Sequence, residues 1–103
     1  MREIKFRAWY LPTKRMMYGV NWLKQAEGEM VYMQYVGVDD CNGGHVYEGD
    51  ILKFEIEGYR EIGEVGFYDN GFWIKRPDGG LFFPDMKNAQ IIGNIYENPD
   101  LLE

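Results

Sequence analysis

An alternation of period two runs through most of this chain. In its first segment Ile4, Phe6, Ala8 and Tyr10 fall on one face and Lys5 and Arg7 on the other, the pattern of a half-buried strand. Phe6 and Tyr10 are therefore expected to face the core, and Lys5 and Arg7 to face water. Pro12 and Thr13 interrupt the pattern, and RMMYGV (15–20) can return as the second strand of a hairpin. MVYMQYVG (30–37), rich in Val and Tyr, reads as a further strand. Beyond Asp50, Leu52, Phe54 and Ile56 alternate with Lys53, Glu55 and Glu57, and EIGEVGFY (61–68) returns with Val65 and Phe67 inward. FWIK (72–75), LFF (81–83) and IIGNIYE (91–97) complete the set.

Turn signals separate these runs: DDCNGG (39–44), Glu57-Gly58-Tyr59-Arg60, Asp69-Asn70-Gly71 and Pro77-Asp78-Gly79-Gly80. NWLKQAEGE (21–29) fits one helical turn or a loop, PDMKNAQ (84–90) a short helix begun by Pro84 or Asp85, and NPDLLE (98–103) a tail. The pattern predicts a mainly β protein, a small barrel or strongly twisted antiparallel sheet of about seven or eight short strands with little helix. At 103 residues there is room for one domain, 1–103, with a basic N-terminal hairpin at 1–20 and a C-terminal tail at 97–103. The two leucines of that tail need something to pack on, either their own sheet or a neighbouring chain, so a homo-oligomer is a natural expectation.

Composition changes this picture in two ways. Three Trp, eight Tyr and six Phe are a heavy aromatic load that suits strands. The net charge of −6 is also uneven: residues 1–25 carry six basic groups and Glu3, a net of +5, and residues 26–103 carry five basic and sixteen acidic groups, a net of −11. A basic first hairpin can pair with an acidic body, in the same chain or in another. One cysteine leaves no internal disulfide, and MREIKFRAWYLPTKR has no apolar core of signal-peptide length. No apolar run approaches the roughly 20 residues that span a bilayer. The expected setting is cytoplasmic, with no membrane partner.

Several chemistries are excluded outright. There is no serine, and Thr13 is the only threonine, so a Ser-His-Asp site is impossible. No GxxxxGK[ST] loop or helix-opening GxGxxG is present, which removes NTPase and dinucleotide readings. The stretch GGHVYEGDILKF (43–54) holds the only histidine, His45, with Glu48 and Asp50 close behind and Cys41 four residues before. A Cys41–His45 pair would sit in a glycine-flanked loop beside Asp39 and Asp40, whose charges raise a thiol pKa rather than lower it. A calcium loop aligned on Gly43 would put Val38 and Gly49 where carboxylates are needed. One histidine without a CxxC serves zinc poorly. The stretch reads instead as a turn: Val46 and Tyr47 pack, Gly49 supplies an unusual backbone angle, and Asp50 caps nearby amides. No cofactor, metal or catalytic residue is expected.

Four stretches together carry a family likeness: REIKFRAW (2–9), MQYVGVDDCNGGHVYEGDIL (33–52), GEVGFYDNGFWI (63–74) and IIGNIYENPDLL (91–102). They resemble the YopX family of phage and prophage proteins, nearly end to end. The resemblance implies a small, mostly β protein of bacteriophage or prophage origin acting in the bacterial cytoplasm, with no enzymatic activity. Val38, Asp39, Cys41, Gly44 and His45 stand where the family pattern has Leu, three Lys and Glu, so no role for Cys41 or His45 carries over.

The leading expectation is a non-enzymatic accessory protein that binds another protein, one form being a host nucleic-acid-binding protein met by carboxylates that imitate phosphates. Trp9, Tyr59, Tyr68, Trp73 and Tyr96 are the candidates for an exposed interaction surface. A first alternative is a nucleic-acid-binding module using Lys5, Arg7, Lys14 and Arg15, opposed by the acidity of the remaining chain. A second is a small enzyme built on the carboxylates Glu48, Asp50 and Glu64.

Overall fold

A computed structural model describes residues 5–18, 29–68, 71–76, 79–81 and 88–102, and of residues 67, 68 and 79–81 it describes the backbone. The expected helix or loop at 21–28, most of the expected helix at 84–90 and the Asp69-Asn70 and Pro77-Asp78 turn residues lie outside the described residues. The described chain forms nine strands: β1 (Phe6–Tyr10), β2 (Arg15–Tyr18), β3 (Met30–Asp39), β4 (His45–Tyr47), β5 (Asp50–Ile56), β6 (Tyr59–Tyr68), β7 (Gly71–Arg76), β8 (Gly79–Leu81) and β9 (Gln90–Asn94). A single 3-10 turn, Pro99–Leu102, follows. The mainly β expectation is met, with all strand pairs antiparallel.

The strands form two sheets, ordered β2-β1-β3-β4 and β8-β7-β6-β5-β9. Their common core is Val36 and Val46 of the first sheet with Leu52, Phe54, Val65, Phe72 and Ile74 of the second, closed by Ala89. These are the inward positions of the alternation, and their burial is the main driving force for joining the sheets. β3 changes face part-way along. Its pairing with β4 shifts between Tyr35 and Asp39, at Gly37 with φ of +93°. This bulge lets both Tyr35 and Val36 be buried in succession.

The hairpin joining β5 and β6 turns on Glu57 and Gly58, at φ of +51° and +83°, with Ile56 opposite Tyr59. Two positive φ angles in a two-residue loop match the right-handed twist of the flanking strands. The chain from Asp40 to Gly44 is held by one carboxylate. Asp40 Oδ1 accepts the amides of Asn42 and Gly44, and Oδ2 accepts that of Ile91, tying this loop to β9. After β9, Asn94 Oδ1 accepts the amides of Tyr96 and Glu97, and Asn98 Oδ1 accepts that of Asn94. Leu101 then reaches back over Gly93 of its own sheet.

β1 departs from the expected arrangement. Phe6 is 48% exposed, and Arg7 is only 3% exposed. Both faces of this central strand carry apolar groups, Phe6, Ala8 and Tyr10 on one and Trp9 on the other, and Ala8 is as fully covered as Trp9. The pattern is thus nearly balanced, and what lies across from the strand decides which face is buried. The Arg7 and Trp9 face turns to the second sheet, where Asp50 and Tyr96 receive it.

Candidate functional site

Where the two sheets meet, an open cleft of about 290 Å³ is lined by Arg7, Tyr18, His45, Tyr47, Asp50 and Ile91. Asp50 opens β5 after the bend at Gly49, whose φ is +87° and whose amide donates to the Val65 carbonyl. That bend points the carboxylate back into the junction. Its Oδ1 lies 2.8 Å from Arg7 Nη2, and its Oδ2 accepts the Tyr47 amide at 2.8 Å. Arg7 Nη2 also donates to the Glu48 carbonyl, and its guanidinium lies 4.7 Å from the centre of the Tyr47 ring. Burial pushes the Asp50 carboxyl above its ordinary pKa, more than the Arg7 charge and the hydrogen bonds from Tyr47 and Arg7 draw it down. Burial likewise raises the Tyr47 phenol, against the opposing charges of Lys5 and Arg7.

A second cluster rims the cleft. His45 Nδ1 lies 2.6 Å from Asp39 Oδ1, which also accepts the Tyr35 hydroxyl at 2.8 Å. His45 Nε2 is 3.1 Å from Lys5 Nζ. An imidazole that donates through Nδ1 to the carboxylate and accepts the Lys5 ammonium through Nε2 satisfies both contacts. The hydrogen bonds from His45 and then Tyr35 hold the Asp39 carboxyl below its ordinary pKa.

With both ring nitrogens of His45 engaged by Asp39 and Lys5, neither serves Cys41, which is an exposed free thiol. Lys5 also occupies the nitrogen through which a metal would bind. Among the described residues no group of three or more His, Cys, Asp or Glu side chains could hold a metal ion. Of the carboxylates considered for acid–base chemistry, Asp50 has both oxygens engaged and Glu48 Oε1 accepts the Gln34 amide. Glu64 sits on β6, opposite Lys75.

The aromatic candidates are dispersed. Trp9, expected on the surface, is buried at 7% exposure and stacks on Tyr96 with ring centres 5.5 Å apart. The cross-sheet contact that buries Arg7 also covers Trp9. Tyr96 and Trp73 are half-buried, and Tyr59 is fully presented at the tip of the β5–β6 hairpin. Tyr68 closes β6, its side chain lying outside the description. Of the four basic residues, Lys14 and Arg15 are exposed at the β1–β2 turn, Lys5 bonds His45, and Arg7 is withdrawn, which corrects its expected exposure. Tyr18 and Tyr47, which wall the cleft, were not singled out as site residues. Their only sequence signal was alternation, which does not reveal what stands across a sheet junction.

Two small antiparallel sheets closed over a buried Arg–Asp pair define a mainly β protein. The chain belongs to the YopX protein family, whose model matches residues 20–103. Its structure is similar to the crystal structure of protein EF1440 from Enterococcus faecalis, with a TM-score of 0.74 and 26% identity over 100% of both chains. It also shares the fold of protein YopX from Bacillus subtilis, with a TM-score of 0.57 and 18% identity over 96% of this chain and 98% of that one. No curated protein matches the chain. No helix among the described residues is long and apolar enough to cross a membrane.

Proposed function

We propose that this chain is a non-enzymatic accessory protein of phage or prophage origin that works in the bacterial cytoplasm by binding another protein. The observation that carries this reading is an aromatic surface on the first sheet. Phe6 and Tyr32 stand on one face of β1 and β3, Tyr32 directly opposite Ala8, and are 48% and 58% exposed. Large aromatic groups presented together on a sheet face favour a protein contact, because they bury much area with few rotors to fix. Lys14 and Arg15 at the adjoining turn favour a partner surface that sets carboxylates beside apolar groups.

The test is a pull-down from host lysate with and without nuclease, comparing the wild type with Phe6→Thr/Tyr32→Thr. A stoichiometric protein that survives nuclease and is lost with the double variant supports the reading. A partner retained by the variant overturns it. Captured material that vanishes with nuclease transfers the function to nucleic acid and the exposed basic turn.

A further inference from the structure

We propose that the cleft at the sheet junction binds a small aromatic anion, a single ring bearing a carboxylate or phosphate, with Arg7 as its anchor. Arg7 holds more donors than its surroundings use. A guanidinium has five N–H groups. Nη2 is satisfied by the Glu48 carbonyl at 3.2 Å and Asp50 Oδ1 at 2.8 Å. Among the described residues Nη1 reaches only the Tyr18 hydroxyl, at 3.4 Å, and Nε has no partner. Arg–carboxylate pairs are often forked, two N–H groups to two oxygens. Here the fork is broken, because Asp50 Oδ2 is taken by the Tyr47 amide. Nε is sealed from solvent, so the donor capacity this buried cation can turn to the cavity is that of Nη1.

The remaining walls specify the rest of the ligand. Tyr18 and Tyr47 meet edge to face with centres 5.9 Å apart, and Ile91 completes the apolar lining. The volume of about 290 Å³ suits one ring with its anionic group. The charged groups around it are Arg7 and, beyond His45, Lys5, against Asp50 in the wall and Asp40 behind Ile91, so the anion's partner is the Nη1 donor rather than a positive field. Asp50 is the one carboxylate that lines the cleft among the described residues, and both of its oxygens are engaged. Asp39 at the rim is held by His45 and Tyr35, and Lys5 stands beside His45. Tyr18 lies on the edge strand β2 and is 60% exposed. Its long contact to Nη1 is the one an incoming oxygen would replace.

The full chain is titrated with benzoate and with phenyl phosphate, following backbone and arginine side-chain nuclear magnetic resonances. Inorganic phosphate serves as the anion without a ring, and benzylamine as the ring with a cation. The expected result is saturable, mutually competitive binding of the two aryl anions, with the tighter of them identifying the headgroup. Phosphate binds at least tenfold more weakly, and benzylamine does not bind. Arg7→Lys keeps the charge and loses the planar donors, so affinity falls at least tenfold. Tyr18→Phe removes the competing hydroxyl without touching the core and tightens binding. It serves as the deciding variant if Arg7→Lys does not fold. Absence of shifts around Arg7 at millimolar aryl anion, equal binding of benzylamine, or an affinity unmoved by Tyr18→Phe would each overturn the assignment.

Discussion

Asp50 takes the Arg7 guanidinium through one oxygen and the Tyr47 amide through the other, at 2% exposure. Removing one member of such a pair leaves the other charge buried and uncompensated. Asp50→Ala should therefore destabilise the fold by about 3–5 kcal/mol, whereas the paired change Arg7→Met/Asp50→Leu should recover most of the loss. Urea denaturation of the three proteins measures both effects. The two carboxylates of this region have opposite linkage signs. Asp50 has a folded pKa raised above 3.8, so its protonation favours the folded state and the contribution fades as pH rises through the folded value. Asp39 has a folded pKa lowered below 3.8, so its stabilisation is present above 3.8 and is lost as pH falls through the folded value. The stability advantage of wild type over Asp39→Asn should accordingly shrink as pH falls below 3.8, as thermal melts through that range would record.

Strands and turns raise questions of backbone fit. Glu57 occupies a left-handed position that an L side chain with a Cβ adopts at a cost, whereas asparagine is the preferred occupant of such turns. Glu57→Asn should therefore stabilise the β5–β6 hairpin by about 0.5–1 kcal/mol, read as a higher urea midpoint with unchanged slope. Gly93 poses the opposite problem. A Cβ there would lie 2.6 Å from Asn98 Oδ1 and 2.9 Å from Leu101 Cδ1. Gly93→Ala should thus release the 3-10 turn from its sheet while leaving the core strands intact. Hydrogen exchange would show faster exchange confined to the chain after Asn94. This contact also explains the spacing of the GNIYENPDLL string: the glycine makes room for the asparagine and leucine that follow it.

At the scale of the whole molecule, acidic and basic groups alternate across the described strands of the second sheet. Glu55 stands opposite Arg60, Glu64 opposite Lys75, and Glu61 is paired with Arg76. Interleaved signs of this kind imitate a phosphate backbone poorly. A complex made through the Phe6 and Tyr32 face should weaken only modestly between about 50 and 200 mM salt, whereas phosphate imitation would give a steep loss over that range. Affinity measured across those salt concentrations separates the two.

Most strands of this protein were legible in its sequence because strand formation is local, whereas β4 (His45–Tyr47) and Gly79-Gly80 of β8 fall where the glycines and short runs read as turns. Alternation placed Leu52, Phe54 and Val65 inward, and glycine marked the bends at Gly49 and Gly58. The YEGDI string likewise announced a turn with Asp50 capping an amide, as found. The burial of β1 was not legible. Phe6, Ala8 and Tyr10 on one face compete with Trp9 on the other, so period two alone carries no decisive bias. Only the tertiary structure decided the matter, by setting Asp50 against Arg7 across 43 positions of sequence and Tyr96 against Trp9. The cleft has the same origin. A cavity between two sheets belongs to neither, and its walls come from β1, β2, β4, β5 and β9. Charge pairing across such a junction depends on distance in space, to which the order of residues along the chain is a poor guide.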